Sequence, residues 1–338
     1  MIRFDSDYMA GAHPEVLERL VATNMELTVG YGNDEYCAEA RRLVREACSA
    51  PDAEVMFLVG GTQTNAVAID GILRRHEGVL AAESGHIAVH ESGAIEASGH
   101  KVLTLREYDG KVRAEDVDRY IEEFYADETY QHMVAPGMLY ISQPTEFGTV
   151  YSLAELESLS GVCHKYNIPL YIDGARMAYG LKAEGADFTL ADIARLADVF
   201  YIGGTKCGTL FGEALVVTNR SLLQNLFSLV KQHGALLAKG RLLGIQFGVL
   251  FRDGLYERIG ERAVQLALRI REAFRAEGYE VVKESPTNQQ FFRLPNDVID
   301  RLRETISFDY WGPRGATDSV VRFVTSWATS EEDVEALI

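Results

Sequence analysis

Lys206 follows the apolar run Ala197-Asp198-Val199-Phe200-Tyr201-Ile202 and sits in the glycine-flanked loop Gly203-Gly204-Thr205-Lys206-Cys207-Gly208. An amine held at the end of a buried strand is pushed towards its neutral, nucleophilic form, the form that condenses with an aldehyde. Thirty-three residues upstream (206 − 173), the run Leu170-Tyr171-Ile172 ends in Asp173-Gly174-Ala175-Arg176. A carboxylate facing a lysine across a pocket is the arrangement pyridoxal phosphate needs. The lysine takes the aldehyde carbon, and the aspartate keeps the pyridine nitrogen protonated so that the ring accepts electrons.

A third element supplies the phosphate site. Val55-Met56-Phe57-Leu58-Val59 reads as a strand, followed by Gly60-Gly61-Thr62-Gln63-Thr64-Asn65 and a helical stretch from Ala66 to Arg75. Glycines at a strand-to-helix turn let backbone N–H groups approach a phosphate, and the helix N-terminus adds favourable partial charge. The turn matches neither the P-loop nor the dinucleotide fingerprint. Each element has a plainer reading when taken alone. A glycine turn can simply start a helix, a strand-end aspartate can cap N–H groups, and a lysine can reach to solvent. Together they stand at three strand ends, where α/β sheets bind ligands, in the order phosphate, ring nitrogen, aldehyde.

The order GGTQTN, YIDGAR, GGTK resembles the threonine aldolase and β-eliminating lyase family, pyridoxal-phosphate enzymes of fold type I. The likeness extends to Asp5-Ser6-Asp7, to Val29-Gly30-Tyr31-Gly32-Asn33-Asp34-Glu35, to Gly85-His86 ahead of Glu91, and to Val321-Arg322-Phe323-Val324-Thr325-Ser326-Trp327. It implies an aspartate-aminotransferase-like fold, and a site in which Gly61 and Thr62 hold the cofactor phosphate and His86 stacks on the ring. Ser6 and Arg176 fall on family positions that contact cofactor or substrate. Arg322, in a strand-like run, reads either as a structural ion pair or as a fork that clamps the substrate carboxylate, and the resemblance favours the clamp. Lys231 and Lys239 resemble a basic pair that reaches the active site from a neighbouring subunit, one of them touching the cofactor phosphate. Tyr31 and Lys231 match interface positions, so a homodimer or a dimer of dimers is expected.

Where the familiar aldolases carry Asn-Thr-His, this chain has Pro144-Thr145-Glu146. The resemblance implies cleavage of the Cα–Cβ bond of L-β-hydroxy amino acids, threonine and allo-threonine among them, with His86 or Glu146 taking the hydroxyl proton. β-Elimination from a different amino acid uses the same cofactor residues and is the alternative. A non-catalytic cofactor-binding protein is a third reading, with no DNA-binding module to support it.

Composition narrows the partners. A formal net charge of −17 over 338 residues argues against nucleic acid or anionic membrane. No apolar run approaches the roughly 20 residues of a membrane span, and the opening Met-Ile-Arg-Phe-Asp-Ser-Asp lacks a signal-peptide pattern. Cys37, Cys48, Cys163 and Cys207 contain no C-x-x-C pair, which fits a reducing cytoplasm. His86 and His90 have i, i+4 spacing with Glu91 next, but no third ligand is evident, so stacking and proton transfer are preferred to a metal.

Seven apolar runs alternate with helical segments: Val55–Val59, Val79–Ala82, Val102–Leu105, Met138–Ser142, Leu170–Asp173, Val199–Ile202 and Ala214–Val217. Near-continuous hydrophobic runs of this kind predict strands buried on both faces, hence an α/β fold with a seven-stranded, mostly parallel sheet. Ser152-x-x-Glu155 and Thr189-x-x-Asp192 predict capping boxes. Residues 1–30 read as an N-terminal arm, 31–220 as the cofactor-binding α/β domain and 221–254 as a connecting helical segment. Residues 255–338 read as a small α+β domain with strands Tyr279–Lys283, Gln290–Leu294 and Val320–Trp327.

Overall fold

The computed structural model describes all 338 residues. Its strands are β1 (Ile2–Arg3), β2 (Glu54–Leu58), β3 (Glu77–Ala82), β4 (Val102–Leu105), β5 (Ala135–Ser142), β6 (Leu170–Gly174) and β7 (Val199–Gly203). They continue with β8 (Glu213–Val217), β9 (Glu280–Lys283), β10 (Gln289–Pro295), β11 (Ile306–Ser307), β12 (Asp309–Tyr310) and β13 (Asp318–Val324). The seven apolar runs become one sheet of order β2-β8-β7-β6-β5-β3-β4. Only β8 runs against its neighbours.

The run-on hydrophobicity has its reason in the two covered faces. Side chains alternate across a strand, so a strand buried on both sides needs apolar residues throughout. Val55, Phe57, Ile172, Phe200 and Val216 enter one core, and Met56, Leu58, Tyr171, Tyr201 and Leu215 the other. The helix Gly61–Ile72 covers the second face with Val67, Ala68 and Ile69. Leu153–Tyr166 and Leu190–Leu196 help to cover the first, and both open with the expected capping boxes, from Ser152 and Thr189. No helix is long and apolar enough to cross a membrane.

A second, antiparallel sheet has the order β12-β13-β10-β9. The long helix Leu255–Ala276 packs Ile270 and Phe274 against Phe292 and Phe323 of that sheet. β1 pairs in parallel with β11, so the chain's first residues are tied to its last third.

Several boundaries differ from the sequence-based expectation. The helix expected over 66–75 runs instead over Gly61–Ile72: Gly61 itself takes helical geometry, while Gly60 before it is extended. The stretch 221–254 is two helices, Leu226–Gln232 and Arg241–Arg252, broken around Gly234 at φ +66°. The last strand stops at Val324, and Trp327 lies beyond it against His13, with ring centroids 5.6 Å apart.

The long helix also closes onto the sheet's upper edge. Gly260 lies so near the short helix Met177–Leu181 that a Cβ there would meet Ala178 O at 2.1 Å. Nearby, Tyr256 donates its hydroxyl to Gly203 O at 2.9 Å and accepts the Ala178 N–H at 3.1 Å. Gly260→Ala should therefore cost about 1–3 kcal/mol of stability through forced overpacking. Denaturant unfolding measures this. An unchanged midpoint would mean that the two helices separate freely.

Candidate active site

The ends of β2, β5, β6 and β7 and the start of β8 meet at one edge of the sheet. At the end of β2 the helix Gly61–Ile72 begins with no side-chain cap; Gly60 precedes it in extended geometry. The N–H groups of Gly61, Thr62 and Gln63 find no acceptor within the chain. A Cβ on Gly61 would stand 3.0 Å from the Tyr201 hydroxyl, so the absence of a side chain keeps the backbone accessible there. Unpaired N–H groups at a positive helix end form an anion site.

One turn into the same helix, Asn65 is fully buried. Its Nδ2 donates to Asp173 Oδ2 at 3.1 Å and to Glu91 Oε1 at 2.7 Å, while Tyr171 donates its hydroxyl to Asn65 Oδ1 at 2.8 Å. Asp173, at the end of β6, also accepts the Tyr140 hydroxyl at 2.6 Å and the Ala175 N–H at 3.0 Å. Glu91 Oε1 stands 2.7 Å from His86 Nδ1. An unbroken run of hydrogen bonds therefore links Tyr140, Asp173, Asn65, Glu91 and His86.

A carboxylate on Nδ1 makes that nitrogen the donor and leaves Nε2 for the pocket. Burial works against a charged His86 ring, but the Glu91 hydrogen bond, with the charges of Glu146 and Asp173, outweighs it. The His86 pKa consequently lies above the ordinary histidine value. The His90 ring lies beside it, tilted, with centroids 5.6 Å apart, and no group of three or more His, Cys, Asp or Glu side chains comes together as a metal set.

Lys206 is half-buried in the turn after β7, its own carbonyl accepting the Tyr179 hydroxyl at 2.6 Å. Arg176, just past Asp173, is buried and held in a fork by Asp7, with Nε to Oδ2 at 2.7 Å and Nη2 to Oδ1 at 3.1 Å. Asn288 adds a third bond to Asp7, at 2.9 Å. Burial raises the Asp7 pKa, yet the charges of Arg176 and Lys206 and the bonds from Arg176 and Asn288 hold it below the usual carboxylate range. Glu146, half-buried on the loop after β5, is close enough to act electrostatically on both His86 and Arg176.

Arg322 projects from β13 with Nη1 on Gln289 Oε1 at 3.0 Å and Nη2 on Asp309 Oδ2 at 2.9 Å. Its Nε and the Ser6 hydroxyl are both buried with no partner. The carboxylate fork read from the sequence thus has both terminal nitrogens engaged and offers Nε. Tyr31, Lys231 and Lys239 are exposed, and Lys231 Nζ lies 4.6 Å from the Tyr31 ring. Within one chain none of these three bonds to the residues around Lys206.

Asn65, Glu91, Tyr140 and Asp7 carry the site together with the residues expected from sequence. Asn65 and Asp7 lay inside motifs already singled out, but nothing local distinguished their partners. The set fits a flat pyridine aldehyde bearing a phosphate. It offers an uncapped helix end for the phosphate, a buried carboxylate already braced by three donors, a lysine amine, and an imidazole fixed at its far nitrogen.

A family model described as Beta-eliminating lyase matches residues 3–296. A protein from Pseudomonas sp. (strain NCIMB 10558) named Low specificity L-threonine aldolase is 30% identical over 343 residues, spanning 99% of this chain and 95% of its own length. A solved structure described as an initial structural analysis of Leishmania major threonine aldolase superposes with a TM-score of 0.96 at 43% identity, covering 100% of this chain and 98% of that one. An aspartate aminotransferase from Thermus thermophilus, at 16% identity and a TM-score of 0.71, shares the fold.

The His86–Glu91 contact can be read directly. A pKa raised in the folded state contributes stability below the ordinary value of 6.5, and that contribution is lost as pH rises through the folded value. Glu91→Gln should lower the His86 pKa and remove that contribution. Imidazole nitrogen NMR across the titration measures the shift. An unmoved His86 titration would mean that Glu91 does not set it.

Proposed function

The chain belongs to the β-eliminating lyase family, and from that premise we propose that it cleaves the Cα–Cβ bond of L-threonine and L-allo-threonine to glycine and acetaldehyde. Pyridoxal phosphate is its cofactor. The observation that carries the reading is the convergence of Lys206, Asp173, His86 and an uncapped helix end on one sheet edge. The near-complete superposition on a threonine aldolase supports it.

Bound pyridoxal phosphate supplies an electrophilic aldehyde and a protonated ring that accepts the electron pair left on Cα when the Cα–Cβ bond breaks. The chain's residues do the rest. The N–H groups of Gly61 and Thr62 would bind the phosphate, and Asp173 would hold the proton on the ring nitrogen. Lys206 would present its amine to the aldehyde carbon and yield that place to the substrate amine. Ser6 Oγ and Arg322 Nε, both buried without partners, suit one substrate carboxylate. Holding that carboxylate there would orient the substrate for carbon–carbon cleavage and keep the carboxylate itself from leaving. Arg176, committed to Asp7, would brace the N-terminal segment that carries Ser6.

His86 Nε2 or Glu146 would take the β-hydroxyl proton as the C–O bond becomes a carbonyl, and a proton delivered to Cα completes glycine. An ionised Glu146 accepts a proton but donates none, and it repels an anionic β-substituent. The site should therefore favour hydroxyl-bearing substrates and discriminate against aspartate.

A homodimer would complete the site. The segment before residue 31 exposes Leu17, Val21, Met25, Leu27 and Val29, an apolar surface suited to a second copy. Lys231 and Lys239 would then reach the neighbouring site. A monomer at assay concentration in analytical ultracentrifugation, with full activity, would contradict this.

Incubation of the purified holoenzyme with L-threonine should give glycine and acetaldehyde in equal amounts; ammonia and a keto acid would point to β-elimination instead. Asp173→Asn should keep the fold and lower kcat about a hundredfold, the loss of a charge-assisted interaction of about 3 kcal/mol. Wild-type kcat in that variant would remove Asp173 from its role.

A further inference from the structure

The turn that carries Lys206 is held from behind by a carboxyl group that the lyase chemistry leaves unused. Glu213 opens β8, opposite Gly203 of β7 and Leu58 of β2, and it is 3% exposed. Its Oε2 accepts the Gly204 N–H at 3.0 Å, and the Thr205 side chain lies beside its carboxyl. Thr205 Oγ1 also accepts the Gly212 N–H at 3.0 Å, and both Gly204 and Thr205 donate their N–H groups to Gly212 O at 3.0 Å. Gly204 and Thr205 are the two residues before Lys206. Glu213 and the residue before it therefore pin the peptides that aim the lysine.

We propose that Glu213 is a positioning residue for Lys206, directing the amine into the pocket by holding Gly204 and Thr205; the inference rests on the lyase reading, in which Lys206 meets the cofactor aldehyde. The groups that face this carboxyl are Lys206 on the turn, Asp173 at the end of β6, the hydroxyls of Tyr171, Tyr201 and Tyr256, and the Cys207 thiol. Burial pushes the Glu213 carboxyl up to about 8, with Thr205, Gly204 and Lys206 acting against the rise and Asp173 adding to it. A neutral Glu213 places no second anion beside Asp173 and does not draw Lys206 into an ion pair that would keep its amine charged. Ionising it costs stability. The cost is absent below the ordinary value of 4.5, grows as pH rises, and is complete once pH passes about 8.

The test uses the full chain stripped of cofactor, with Glu213→Gln, Glu213→Asp and Glu213→Ala beside wild type. Each protein is mixed with pyridoxal phosphate and reduced with borohydride, and the adduct on Lys206 is followed by peptide mass spectrometry against time and pH. Glu213→Gln keeps the shape and neutrality, so it should trap at the wild-type rate at neutral pH. It should also lack the inflection near pH 8 that wild type shows as Glu213 ionises. Glu213→Ala, which frees both peptides, should trap Lys206 about tenfold more slowly or worse. Glu213→Asp withdraws the carboxyl by one methylene and should also slow trapping, which decides the matter if the alanine variant does not fold. Trapping of Lys206 at the wild-type rate in the alanine or aspartate variant, or the same inflection in the glutamine variant, overturns the proposal. If wild type itself forms no adduct on Lys206, the lyase reading falls, and the role given to Glu213 falls with it.

Discussion

The side-chain amide of Asn65 holds two buried carboxyl groups at once, Asp173 at 3.1 Å and Glu91 at 2.7 Å. The rest of the site depends on that constraint. Two carboxylates buried side by side repel each other, and each would be costly without a donor. The shared amide, with the Tyr140 hydroxyl on one carboxylate and the His86 ring on the other, lets both remain acceptors in a dry place. Asp173 is thereby held in place as an acceptor, and Glu91 fixes which nitrogen of His86 faces the pocket. Asn65 rides on the helix whose first N–H groups are unpaired, so one rigid element sets that helix end, the Asp173 carboxyl and, through Glu91, the imidazole together.

The Asp7–Arg176 pair does comparable work between distant parts of the chain. Its members are 169 residues apart, and Asn288, from just before β10, supplies a further donor to the same carboxylate. A buried pair of this kind contributes little net stability but is costly to break, since the survivor is left charged and alone. Here it fixes Asp7, and with it the adjacent Ser6, against the sheet edge. The main sheet, the N-terminal segment and the second sheet are thus brought to one place by charge and hydrogen bonding.

Much of this was legible in the sequence because it is local. Each strand of the main sheet announced itself as an apolar run, and the two capping boxes as a spacing of three. GGTQTN, Asp173 and Lys206 stood at strand ends, where a glycine or a charge next to a hydrophobic run is conspicuous. What was hidden depends on partners far away in the chain. Tyr140 looked like one more strand aromatic until its hydroxyl met Asp173, 33 residues on. Glu91 read as a neighbour of a histidine pair, and its contact with Asn65 across 26 residues has no local signature. For Arg322 the sequence leaves a structural ion pair and a carboxylate clamp open, and the resemblance favours the clamp; the structure shows an ion pair on one arm. The Asp309 that engages one arm sits on a two-residue strand too short to show a period. The break around Gly234 was lost within a stretch apolar enough to look continuous.

The central claim is that a carboxylate braced by Asn65 and Tyr140 keeps the cofactor's ring nitrogen protonated, so that the ring can take the electrons released at Cα. The direct measurement is the nitrogen-15 NMR shift of pyridine-labelled pyridoxal phosphate bound to the full-length protein, followed across the neutral pH range. The account predicts a protonated, pyridinium-type shift that does not move through neutral pH in wild type and reverts to the unprotonated value in Asn65→Ala. A wild-type ring nitrogen with the unprotonated shift, or one that titrates as it does in free cofactor, would contradict it.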